Sequence, residues 1–285
     1  GASPAPGRAA PVAERRPRTL ALALALALGL AAPAGARAEF ALPRALSDTD
    51  GVVGLISRPP MPPGGPQRLP AVLLVHDSLG YDSRSEVYTR QLLGASLPVA
   101  EVELQVLSSD GVIAPEEETG RLRRALAALA AAPGIDPDRI GAIGFGEGAR
   151  ALVLESDGLP LRAVVLLYPG CGTLASELGG GDPQPSQPFG AVLLMHGTAD
   201  PANPANGCVA LAGLLAERTP DVRLQAWAGA SYGWDIPDGI GASNFRYPAP
   251  GDGPPIRIEP WPELADLSAA RAAAFLHTSL AGTER

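Results

Sequence analysis

Residues 139–155 read RIGAIGFGEGARALVLE. The first seven form an apolar run, as a strand covered on both faces requires. EGARALVLE then places apolar side chains at helical spacing. Between the two, Gly144-Phe145-Gly146-Glu147-Gly148 permits a cramped strand-turn-helix, because glycine tolerates positive φ and close backbone approach. A buried strand feeding a helix through so tight a turn predicts one unit of a parallel α/β sheet.

The segments on either side repeat the pattern. AVLLVH at 71–76 is a second buried strand, followed by a helix over 84–94. PVAEVELQVL at 98–107 returns to strand. EEETGRLRRALAALAAA at 116–132 is a helix with acids early and Pro133-Gly134 as its stop. Downstream, strands are expected at 161–169, 189–197 and 222–229, with helices at 205–218 and 264–280. Residues 51–59 suit an outer strand and 39–50 a lead-in. The Gly/Pro-rich spans 172–188 and 239–255 read as loops. Strands alternating with helices predict three layers, a mostly parallel central sheet and right-handed crossovers. Ligands then meet the carboxyl ends of the strands.

The chain has 285 residues and a net charge of −8, with no lysine. Arg15, Arg16 and Arg18 precede the apolar stretch TLALALALALGLAA at 19–32, and Ala36-Arg37-Ala38 offers a small-x-small cleavage site. Residues 1–38 therefore read as a signal peptide, leaving one domain over 39–285 exported to the periplasm or outside the cell. An uncleaved membrane anchor and a twin-arginine signal are the other readings of this segment. Cleavage removes five Arg and one Glu, leaving 17 basic and 29 acidic residues, or −12. That charge argues against nucleic acid and anionic lipid as partners. In an oxidising compartment Cys171 and Cys208 read as one disulfide, with two buried free thiols as the alternative.

Three positions carry the chemical question. A nucleophile elbow has this strand-turn-helix form, and its central residue is Ser or Cys. Here the centre is Gly146. The N–H of Glu147 can still face a developing oxyanion, but no side-chain atom is present to attack a carbonyl. Asp200, in HGTAD after AVLLM, stands where a triad acid can orient a histidine; it serves equally as a loop-capping aspartate. Tyr232, in GASYGWD, stands where the base belongs, and a tyrosine is a poor base near neutral pH. GFGEGA also fits a dinucleotide fingerprint. At least two strands precede it, however, and no acid ends the next strand, so nucleotide binding is not expected.

IGAIGFGEGA, LMHGTADPANP, GASYGWD and the HDSLG turn at 76–80, in that order, resemble the dienelactone hydrolase family over about residues 45–280. The resemblance implies an α/β-hydrolase fold and ester or lactone hydrolysis without a cofactor or metal. It also implies Cys or Ser at the position of Gly146, an acid at Asp200, and His at the position of Tyr232. Only the acid is kept. The 76–80 turn, with His76, Asp77 and Ser78, is then expected to help form the oxyanion pocket with Glu147.

A degenerate triad with weak or absent hydrolysis is the leading expectation, with a small ester, lactone or related carboxylate as ligand. A displaced serine is the first alternative: Ser78 beside His76, or Ser231 beside His196. A non-enzymatic ligand- or partner-binding protein is the second. His76, His196, Asp77 and Asp200 offer metal-binding side-chain types without a metal-binding spacing, so no metal is expected. Trp227, Trp234 and Trp261 suit either a pocket mouth or ordinary packing. Arg84, Asp82 and Tyr88 suit either a ligand or a solvated helix start.

Overall fold

The computed structural model describes residues 1, 42–60, 64, 68–77, 80–104, 115–155, 158–180, 189–237, 246–251 and 253–281, with side chains of α2 from residue 120 onward. The chain divides at Glu39 and Phe40, and the fold below is that of Phe40–Arg285. The expected signal peptide at 1–38 lies outside the described residues.

Eight strands form one sheet, and two more form a separate ribbon. The sheet strands are β1 (Arg44–Asp48), β2 (Gly51–Ser57), β3 (Leu69–Val75), β4 (Val99–Val102), β5 (Ile135–Phe145), β6 (Leu161–Leu167), β7 (Ala191–Gly197) and β8 (Asp221–Trp227). Their spatial order is β1-β2-β4-β3-β5-β6-β7-β8. β2 runs antiparallel to β1 and β4, and β4 through β8 are parallel. The ribbon pairs β9 (Arg246–Ala249) with β10 (Gly253–Arg257). The helices are α1 (Arg84–Gly94), α2 (Pro115–Ala131), α3 (Glu147–Leu154), α4 (Cys171–Gly179), α5 (Ala205–Ala216) and α6 (Pro262–Leu280).

Alternation along the buried strands builds two cores. Leu73, Val75, Ala142, Val164, Leu166 and Leu194 face one layer, against Leu122 and Leu129 of α2, Leu152 of α3, Leu174 of α4 and Leu211 of α5. Their neighbours Val72, Leu74, Ile143, Phe145, Val165 and Leu167 face the other, against Tyr88 and Leu92 of α1 and Ala272 and Leu276 of α6. This is the three-layer arrangement expected of continuous apolar strands. Among the described residues no helix is long and apolar enough to cross a membrane.

The departures from expectation have physical causes. Residues 172–188 are not all loop: α4 forms because Leu174 and Leu178 lie one turn apart and are buried with Cys171. Flanking glycines mask that apolar face in the sequence. The span 239–255 contains most of the β9–β10 ribbon. Its prolines argue against a central strand, but a two-stranded ribbon is all edge and accommodates them. The lead-in at 39–50 contains β1, and β4 ends at Val102, short of the expected 107.

Candidate functional site

β3, β5, β6, β7 and β8 are parallel, so the residues that follow them gather at one edge of the sheet. His76 and Asp77 follow β3, Gly146 follows β5, Tyr168 follows β6, Asp200 follows β7 and Tyr232 follows β8.

Gly146 caps α3 with φ 50° and ψ −113°. An L-residue adopts that backbone only under strain. Two positions on, a Cβ at Gly148 would strike the backbone of Val75 and His76, so the turn needs glycine there to pass beneath β3. A Cβ at Gly146 would collide with the hydroxyl of Tyr232 and touch Cβ of Asp77 at 3.4 Å. Tyr232 is buried and packs edge-on against Tyr168, with ring centres 4.7 Å apart, and against Tyr247 at 5.6 Å. Burial raises its pKa well above the ordinary phenol value, and Asp77, Tyr247 and Asp200 add to the rise.

Asp200 is also buried. Its carboxylate accepts hydrogen bonds from the Ala202 N–H at 2.9 Å and from Nδ2 of Asn203 at 2.8 Å. The Asn203 amide oxygen in turn accepts from the N–H groups of Gly170 and Cys171 at 2.9 and 3.0 Å. Asp200 therefore braces its own loop and, through Asn203, the start of α4. Burial pushes its pKa up to about 6, against the downward pull of Asn203 and Ala202. A carboxyl raised above its unfolded value stabilises the fold fully below about pH 4 and loses that contribution as pH rises through about 6. Asp200 is expected to contribute about 3 kcal/mol more stability at about pH 4 than at about pH 7, opposed by Asp48, Glu101 and Asp136, whose pKa values are lowered. Asp235, also raised by burial, works in the same direction as Asp200. Denaturant titrations of the wild type and Asp200→Asn across this range check the Asp200 contribution, since the difference between their slopes isolates it. Carboxyl NMR should find the Asp200 midpoint near 6.

The remaining candidates separate. His76 is fully buried, with Nε2 3.2 Å from Oε2 of Glu101, and among the described residues Nδ1 has no hydrogen-bond partner. His196 is buried, and its Nδ1 faces the Gly197 carbonyl at 3.2 Å. Ser231 Oγ accepts from the Glu259 N–H at 3.1 Å and lies 3.2 Å from the Glu259 carbonyl. That hydroxyl is occupied by backbone, and no hydrogen bond joins it to His196. Ser78 lies outside the described residues. Among those described, no group of three or more His, Cys, Asp or Glu could hold a metal ion. Cys171 and Cys208 form a disulfide joining α4 to α5.

Beneath the elbow lies a buried polar network that sequence reading only touched. Arg84 is fully buried and pairs with Asp77 at 2.9 Å and with Asp82. It also donates to the hydroxyls of Tyr168 at 3.0 Å and Tyr247 at 3.1 Å. Tyr168 and Tyr88 donate to opposite oxygens of buried Asp235, at 2.7 and 2.6 Å. The tyrosine ending the apolar strand VLLYP and the aspartate in SYGWD are the sequence signals for this network, since buried polar groups require partners.

A cavity of about 870 Å³ opens beside this cluster. It lies between α4, the loop around Asp200, Ser231 and the β9–β10 ribbon, and neither Gly146, Asp200 nor Tyr232 lines it. No tryptophan lines it either: Trp234 is buried, donating to Ser268, and Trp261 is partly exposed. Glu147, next to Gly146, holds the ribbon's turn by accepting the Gly251 N–H at 2.5 Å.

The dienelactone hydrolase family model matches residues 102–246, which span the elbow, Asp200 and Tyr232. The chain belongs to the dienelactone hydrolase family. None of the curated proteins matches it in sequence. Solved structures share the fold at low identity. Est1E from Butyrivibrio proteoclasticus is 13% identical with TM-score 0.56, covering 85% of this chain and 100% of its own. A dienelactone hydrolase-like promiscuous phosphotriesterase from metagenomic libraries is 19% identical with TM-score 0.57, covering 85% and 99%. EstE1, a thermophilic carboxylesterase cloned from a metagenomic library, is 14% identical with TM-score 0.58, covering 85% and 89%. In this dienelactone hydrolase family member a tyrosine hydroxyl lies against the glycine turn that follows β5.

Proposed function

We propose that this chain is an exported member of its family that has lost acyl hydrolysis and acts by binding. One observation carries the reading: the Tyr232 hydroxyl occupies the space into which a side chain at residue 146 would project. Gly146 stands at the nucleophile position and Tyr232 at the base position. The first has no attacking atom, and the second is a buried neutral phenol whose deprotonation is opposed by burial and nearby carboxylates. Asp200, at the acid position, is committed to loop amides. Of the residues expected to form an oxyanion pocket, Asp77 pairs with the buried Arg84, and Ser78 lies outside the described residues. Export rests on residues 1–38, and with that leader removed the strongly acidic remainder suits a free protein that binds neither nucleic acid nor anionic lipid.

The test is hydrolysis of p-nitrophenyl acetate and a small lactone by the purified protein and by Asp200→Ala. Both should run at the buffer rate, and a fluorophosphonate probe should label neither. Turnover abolished by D200A would show a working triad-like site. Labelling at Ser78 or Ser231 would replace this reading with hydrolysis by a displaced serine.

A further inference from the structure

The large cavity beside the elbow has a composition that specifies a ligand. Pro201, Pro204, Pro250, Pro254 and Pro255 line it. Proline has a fixed φ and no N–H, so these walls are rigid, apolar and poor in donors. Ala202, Ala249 and Ile256 extend the same surface. A volume of about 870 Å³ falls in the range that encloses a small organic molecule.

The rim is charged in an uncommon way. Arg246 and Arg257 both line the cavity and are directly paired across β9 and β10. Residues opposite each other in an antiparallel pair project from the same face, and like charges there repel. Arg246 has no side-chain hydrogen bond or ion pair among the described residues. Among the described residues Arg257 reaches only Glu259, at 3.9 Å, with both side chains 67% exposed. The other acid on the rim, Glu177, is held by both its oxygens on Arg150, at 2.8 and 2.7 Å. Among the described residues, two guanidinium groups therefore face one opening with little to neutralise them.

We propose that this cavity binds a mostly apolar organic monocarboxylate, with its carboxylate between Arg246 and Arg257 and its hydrocarbon body against the proline walls. Guanidinium forks match carboxylate geometry, and an anion between two like charges removes their repulsion. A monoanion suits the site better than a dianion because the chain as a whole carries −8. Gly146, Asp200 and Tyr232 do not line the cavity, so the proposal stands independently of whether that cluster hydrolyses esters.

Calorimetric titration of the full chain with phenylbutyrate, phenylbutyramide and phenylbutylamine tests it. Phenylbutyrate should bind, the neutral amide about tenfold more weakly and the cationic amine more weakly still. Added salt should weaken the acid and leave the amide unchanged. Arg246→Gln should bring the acid to the level of the amide without altering the amide itself, and Arg257→Gln should act in the same direction. Ser176→Trp, at an exposed position of α4 on the cavity wall, should abolish binding of both. The proposal is overturned if the wild-type protein binds acid and amide equally, or binds neither at millimolar concentration. It is also overturned if Arg246→Gln leaves acid binding intact, or if Ser176→Trp, folded by circular dichroism, binds as the wild type does. Ester hydrolysis at the Gly146, Asp200 and Tyr232 cluster would leave all of these results unchanged.

Discussion

Gly146→Ser alone is expected to destabilise the protein by about 4 kcal/mol, and adding Tyr232→His is expected to restore about half of that loss. Two costs combine in the single variant. A residue with a Cβ at φ 50° incurs backbone strain of about 1–3 kcal/mol. Its Cβ also meets the Tyr232 hydroxyl in a fully packed region, and overpacking adds about 1–3 kcal/mol. Histidine lacks the phenol oxygen and relieves the collision, while the backbone strain remains. Urea unfolding of the four proteins in the cycle should give a favourable coupling of about 1–3 kcal/mol. Additive effects would mean that the two side chains do not share one space. The double variant also brings together a nucleophile and a base, and its rate on p-nitrophenyl acetate should exceed that of the wild type by about a hundredfold. A folded double variant without activity would show that the oxyanion donors have moved as well.

Replacing Cys171 and Cys208 together by alanine should cost about 4 kcal/mol, the chain-entropy figure for a cross-link spanning 37 residues. Both residues are fully buried, and alanine leaves no unsatisfied hydroxyl behind. Denaturant midpoints for the double variant and the wild type measure the loss. The effect should reach the cavity, because Gly172, Thr173 and Ser176 of α4 form part of its wall and Asn203 ties the start of α4 to Asp200. An unchanged midpoint would mean that packing of Leu174 and Leu211, rather than the cross-link, holds the two helices.

Most of the sheet was legible because its strands are buried on both faces. AVLLV, RIGAIGF, LRAVVLL and AVLLMHG are continuous apolar runs, and each was placed to within a few residues except β5, which begins earlier at Ile135. β1 and the β9–β10 ribbon were missed because edge strands lack that signal and here carry prolines and polar residues. The three elbow-related positions could be picked out by their order along the chain and do converge. What they do there was not legible. Whether a tyrosine fills a vacancy or lines an opening depends on packing against Tyr168 and Tyr247, which come from other elements. The same holds for Arg84: its sequence neighbours suit either a ligand or a solvated helix start, whereas the fold encloses it completely. Arg246 and Arg257 carry no warning in sequence, because only the ribbon's register sets them opposite each other.

The oxygen of Tyr232 over Gly146 also bears on descent. A lineage carrying both residues cannot gain a nucleophile at 146 by a single favourable substitution, since serine arrives in an occupied place and histidine alone arrives without a partner. Each intermediate is selected against or gains nothing, and only the paired change is rewarded. Under the proposed loss of hydrolysis, such epistasis works as a ratchet: with tyrosine over the bare turn, drift can alter the surrounding surface freely, while return to hydrolysis is closed to stepwise mutation.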